Sequence, residues 1–243
     1  MTPLVEELIP CPDPWDVARK LAHLPHLLFL DSADRHPQRG RYSYVMAGTE
    51  WMTWGWFGSG TDSQRAFRTD HLRDLQTSPT TNDLGLPPFI GGVAGVFGYG
   101  LSRSFERRVP PTRADEFRLA DVVTGIYDWV ISFDHQQRKG WIVSTGFPET
   151  IPTRRREYAA QRLKYVQAIL SAPVSPPLTP ESDPIRRDFS PQHPLLDHPG
   201  ITSNFSPAGY RDAVRRAIEY VHAGDVFQVN LSQRLLAPLT EHP

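Results

Sequence analysis

Residues 119–146 read LADVVTGIYDWVISFDHQQRKGWIVSTG. β-Branched and aromatic residues fill both ends, and the polar stretch QQRKG lies between them, which is the composition of a β-hairpin. Residues 119–135 and 141–146 are therefore read as its two arms, expected near the middle of a sheet.

Working outward, 87–101 (PPFIGGVAGVFGYGL) has a strand pattern with glycine at 91, 92, 95, 98 and 100. It lacks both G-x-G-x-x-G and a following Gly-Lys-Ser/Thr, so close strand packing accounts for these glycines better than a phosphate cradle. RYSYVMA (41–47) sets Tyr42, Tyr44 and Met46 on one face, and EWMTWGWFG (50–58) alternates likewise, together suggesting an antiparallel meander. LLFLDSA (27–33) reads as a buried strand and 66–76 as a short helix. Asp13-Pro14 reads as an N-cap and first helical residue, with Trp15, Ala18, Leu21 and Ala22 recurring at helical spacing as far as Pro25.

Downstream, 153–170 is an amphipathic helix whose apolar stripe is Tyr158, Leu163, Val166, Ile169 and Leu170. Arg154, Arg155, Arg156, Arg162 and Lys164 fall mostly outside it, as a solvated face or an anion patch. Nine of the 24 prolines then lie between Pro173 and Pro207 without periodicity, which reads as a linker. Ser206-Pro207 restarts order as a helix start, Tyr210, Val214, Ala217, Ile218 and Val221 share a face, and Gly224 stops the helix. In the stretch AGDVFQVNLSQRLL (223–236), 226–235 read as a strand. Its Gln228, Asn230, Ser232 and Arg234 fall on one face, and Phe227, Val229 and Leu231 on the other.

Composition removes several classes of function. With 26 basic and 27 acidic residues there is no global charge to attract nucleic acid or an anionic membrane. No run approaches the roughly 20 apolar residues needed to span a bilayer, and the first residues lack a basic-then-apolar leader, so a cytoplasmic protein is expected. The single cysteine, Cys11, has no internal partner. No H-E-x-x-H, H-x-H or G-x-S-x-G occurs, so neither a protein-built transition-metal site nor a hydrolase elbow is supported.

The blocks FLDSADRHPQRGRYSYV (29–45), PPFIGGVAGVFGYGL, IYDWVISFDH (126–135) and SNFSPAGYRDAVRRAIEYVHAGDVFQVNLSQRL (203–235) are spread along nearly the whole chain. With them the sequence resembles the chorismate-using component of aminodeoxychorismate synthase, and more broadly the anthranilate synthase component I family. The resemblance implies an α+β fold, an antiparallel β-sandwich with outer helices. It implies an N-terminal domain over 1–172, a Pro-rich linker over 173–202, and the first helix and strand of a truncated chorismate-binding domain over 203–243.

Family chemistry adds ammonia, delivered by a glutaminase component, to chorismate with the help of Mg2+. The resemblance places the Mg2+ ligands beyond Pro243, so no metal ligand is assigned here and the isolated chain is expected to be inactive. In related water-adding synthases the position of Gln228 holds a lysine that activates water. A neutral amide cannot serve as that base, so Gln228 implies ammonia as the nucleophile. Asn230 in QVNLSQR points toward the aminodeoxychorismate branch, with anthranilate synthase as the alternative. A non-catalytic module that binds tryptophan or the glutaminase is a further alternative.

The family's N-terminal domain also holds a tryptophan pocket around Leu-Leu-Glu-Ser, which here reads Phe29, Leu30, Asp31, Ser32. The resemblance assigns Leu30, Asp31, Ser32 and Arg41 to it, with Asp31 facing an amino group on a side chain one methylene shorter and Arg41 facing a carboxylate. The alternative is a structural ion pair between Arg41 and Asp31.

Overall fold

The computed structural model describes residues 2–34, 36, 39–49, 52–55, 85–106, 108, 119–174 and 190–238, with 52–55, 103 and 104 described in backbone only. The chain divides into two compact units, Met1–Pro111 with Leu119–Ser182, and Thr112–Arg118 with Asp183–Pro243. The helix expected at 66–76 lies outside the described residues.

The hairpin organises the first unit. Strand β7 (Trp129–Asp134) pairs antiparallel with β8 (Lys139–Ser144) in the register Ile131↔Ile142. On its other side β7 pairs with β3 (Tyr42–Met46), and the sheet runs β1-β8-β7-β3-β2, with β1 at Leu4–Glu7 and β2 at Leu28–Leu30. All six residues of β7 are buried, as a strand covered on both faces requires. Alternation then sorts the core. Trp129, Ile131 and Phe133, with Val45 and Ile142, face one cluster that includes Val17, Ala18 and Leu21 of helix α1 (Pro14–Leu21) and Val166 of a long helix, Pro152–Ser171. Val130, Met46, Trp141 and Val143 face a second cluster with Tyr127, Ile90 and Ala94.

The arm 119–135 is not one strand. Strand β6 (Val122–Tyr127) belongs to a different sheet, ordered β4-β6-β5, with β4 at Met52–Gly55 and β5 at Gly92–Phe97. Asp128 marks the break, because its buried carboxylate is held by Arg162 from the long helix. The meander is corrected too: β3 pairs with β2 and β7, and β4 pairs with β6. Alternation states which face is apolar but not which neighbour supplies the ladder. β2 is an edge strand with Leu30 42% exposed, not a buried strand.

Helix α2 (Ser102–Phe105) is a single turn after β5, and the long helix is α3 in chain order. Helix α1 begins as its sequence reads, with Asp13 Oδ1 accepting the Trp15 N–H at 2.8 Å. The close packing expected of the glycines holds at Gly95, where a Cβ would lie 2.1 Å from the Val123 carbonyl oxygen.

In the second unit, helix α4 (Pro207–Ala223) is capped by Ser206, whose Oγ accepts the Gly209 N–H at 3.0 Å, and it ends at Gly224 with φ 80°. A three-stranded sheet runs β11-β10-β9, with β9 at His193–Pro194, β10 at Thr202–Ser203 and β11 at Leu235–Leu236. Residues 193–194, read from sequence as linker, thus take part in this sheet. The strand expected over 226–235 is reduced to β11, with the ladder prolonged only by the Asn204 N–H, which donates to the Arg234 carbonyl oxygen at 3.1 Å. Alternation alone does not make a strand without a partner strand to continue the ladder.

Candidate functional site

β2 leaves the edge of the first sheet and delivers Asp31 and Ser32 beside the start of β3. Ser43, fully buried on β3, lies at the centre. Its Oγ accepts the Ser32 backbone N–H at 3.0 Å, donates to Asp31 Oδ1 at 3.3 Å, and lies 2.7 Å from His135 Nε2. A hydroxyl has one proton, so a Ser43 that donates to the Asp31 carboxylate must accept from His135. That assigns the Nε2 proton to the histidine. Ser32 Oγ in turn donates to the Tyr42 carbonyl oxygen.

The adjoining pair is Arg41 with Asp134. Arg41 donates from Nε at 3.0 Å and from a terminal nitrogen at 2.7 Å, both to Asp134 Oδ2. Asp134 Oδ1 accepts the N–H groups of Gln136 and Gln137 at 2.9 and 3.1 Å. Burial pushes the Asp134 carboxyl up, but the Arg41 hydrogen bond and these two backbone donors outweigh it and hold the group below the ordinary carboxylate range. The register Tyr42↔Asp134 sets the two residues side by side. The alternative ion pair between Arg41 and Asp31 is thereby overturned: the partner of Arg41 is Asp134.

Leu30, Asp31, Ser32 and Arg41 therefore all fall at one corner of the first unit, linked through Ser43, Tyr42 and His135. Gln228 belongs to the second unit and is exposed, with its Nε2 donating to Asn230 Oδ1 at 3.4 Å. Sequence reasoning missed Ser43, Asp134 and His135. The usable signal was FDH at the end of the hairpin's first arm, a charged pair closing an otherwise apolar strand. Cys11 lies near the same hairpin, and burial, with the nearby Glu7 and Asp13 carboxylates, pushes its thiol up, away from the reactive thiolate.

Among the described residues no group of three or more His, Cys, Asp or Glu is arranged to hold a metal ion. These residues therefore do not fit an Mg2+ site. No described helix is long and apolar enough to cross a membrane.

Residues 29–243 match the family model described as chorismate binding enzyme. The chain belongs to the chorismate-binding enzyme family. It is 33% identical over 230 residues to anthranilate synthase component 1 of Thermus thermophilus, covering 92% of this chain and 45% of that protein. It is 31% identical over 231 residues to aminodeoxychorismate synthase component 1 of Escherichia coli, covering 90% of this chain and 44% of that protein. The crystal structure of anthranilate synthase component I from Streptococcus pneumoniae TIGR4 superposes with a TM-score of 0.53 at 20% identity, covering 87% of this chain and 45% of that one, and it supports the α+β fold. This member of the chorismate-binding enzyme family spans less than half the length of the curated relatives it matches.

Proposed function

We propose that these residues are part of a synthase that adds ammonia to chorismate to give 4-amino-4-deoxychorismate, the precursor of p-aminobenzoate and folate. The observation that carries the reading is Gln228, a neutral amide within the region matched by the family model. An amide has no basic lone pair near neutral pH, so it cannot deprotonate water. Ammonia needs no such base, because its free form is already a nucleophile. Asn230 supports the aminodeoxychorismate branch.

A second reading, anthranilate synthase, is favoured by the 33% identity to the Thermus thermophilus protein. On either reading the ammonia comes from a glutaminase component and the enzyme works in the cytoplasm with Mg2+. The two antiparallel sheets of the first unit would stack as a β-sandwich with α1 and α3 outside. The corner at Leu30, Asp31, Ser32 and Arg41 would take an amino-acid effector such as tryptophan, with Asp31 meeting its amino group.

The branch is tested with the native polypeptide carrying these residues, given chorismate, ammonium and Mg2+. The proposal expects a product that a lyase converts to p-aminobenzoate. Direct release of fluorescent anthranilate would establish the second reading. Calorimetry with tryptophan tests the effector corner, and absence of heat at millimolar ligand would remove that assignment.

A further inference from the structure

A cleft of about 320 Å³ opens in the first unit where the start of β1, the end of β8 and the first turns of α3 meet. Its lining is Thr2, Pro3, Leu4, Thr145, Arg155, Arg156 and Ala159. Two arginines thus line it, and among the described residues no carboxylate does. Neither guanidinium is ion-paired among the described residues. The nearby Glu149 is engaged elsewhere, its Oε1 accepting the N–H groups of Thr150 and Ile151 at 2.8 and 2.9 Å.

Arg155 is held rather than free to sway. Its Nε donates to the Thr145 carbonyl oxygen at 2.8 Å, which anchors one edge of the guanidinium plane. The Thr145 hydroxyl donates to the Asp128 carbonyl oxygen at 2.9 Å, so the anchor rests on the central hairpin. The chain then turns at Gly146, with φ 66°, where a Cβ would lie 2.1 Å from the Arg155 carbonyl oxygen. That approach draws the start of α3 against the end of β8, close to the cleft.

Unneutralised guanidinium groups in a cleft with protein walls focus positive potential. A planar fork with free terminal nitrogens matches the oxygens of phosphate or carboxylate. Pro3, Leu4 and Ala159 add an apolar wall, and the volume lies near the lower limit for small-molecule sites. We propose that this cleft binds a small dianionic metabolite, its oxyanion group held by Arg155 and Arg156 and its short apolar body against Pro3, Leu4 and Ala159. Two positive charges with no counter-ion among the described residues select a dianion over a monoanion. The cleft shares no described lining residue with the Asp31 corner, and the proposal does not depend on the chorismate reading.

The test is calorimetric titration of the native polypeptide with inorganic phosphate and, separately, with malonate. The protein is wild type, Arg155→Gln, Arg156→Gln, or the control Arg19→Gln, whose arginine is exposed and paired with Asp16 at 3.7 Å. Thermal melts confirm that each variant folds. The proposal expects saturable binding of at least one dianion, weakened roughly tenfold or more by either cleft substitution and unchanged in the control. Phosphate binding alone would assign a phosphomonoester, and malonate binding alone a dicarboxylate. Equal binding by all four folded proteins, or no saturable heat with either probe, would overturn it.

Discussion

At the scale of single residues, the arginines of α3 show what a helical wheel omits. Arg162 falls outside the apolar stripe, yet its side chain is 18% exposed and grips Asp128 with two hydrogen bonds of 2.7 and 3.1 Å. A long polar side chain can run along apolar surface and still place its charge on a buried partner, which the pattern of apolar residues does not record. Breaking such a pair leaves a buried charge uncompensated, so Arg162→Ala is expected to cost about 3 kcal/mol in urea unfolding. Asp212→Ala, which removes the exposed Arg215 pair on α4, should cost about 0.5 kcal/mol or less. Tyr44 gives a pH signature. Burial pushes its hydroxyl up to about 12, against the hydrogen bond at the Phe89 backbone, while a free tyrosine titrates near 10. The fold favours the neutral phenol, so this stabilisation is complete below about pH 10 and is lost as pH rises through about 12. Burial also pushes the Tyr127 hydroxyl up, so absorbance titration of Tyr44→Phe should show a smaller late ionisation than wild type, by the amplitude of one tyrosine. Asp134 has the opposite sign. Its depressed value contributes stability that is present above about pH 4 and lost as pH falls through its folded value, so Asp134→Asn should flatten the acid limb of a stability–pH curve.

At the scale of elements, the sequence made the hairpin, α1, α3 and α4 legible because each carries its own local signal. These are alternation around a polar turn for the hairpin, an Asp-Pro or Ser-Pro start for α1 and α4, a glycine stop for α4, and an apolar stripe at helical spacing for α3. What stayed hidden was pairing. Nothing local in IYDWV says that the chain changes sheets at Asp128, because the deciding contact comes from Arg162, 34 positions away. Likewise 226–235 alternates well, but among the described residues strand pairing is confined to Leu235–Leu236. The centrality of β7 predicts that Ile131→Ala, at a fully buried position, costs about 2–5 kcal/mol by urea denaturation. A loss below 1 kcal/mol would place the core elsewhere. The candidate corner was half legible. Asp31, Ser32 and Arg41 came from resemblance and do lie together, while Ser43, Asp134 and His135 became visible only through the register of β3 on β7.

At the scale of the whole molecule, the chain belongs to the chorismate-binding enzyme family and spans less than half the length of its curated relatives. The central claim of the proposed function is chemical: ammonia, not water, would attack chorismate, because the resemblance sets Gln228 where water-adding synthases hold a lysine. The most direct measurement gives the native polypeptide chorismate and Mg2+ in heavy-oxygen water with isotopically heavy ammonium, and weighs the product by mass spectrometry. The account predicts a product that gains the heavy nitrogen and takes up no heavy oxygen. A hydroxylated product carrying the heavy oxygen, or chorismate recovered unchanged from a folded protein, would contradict it.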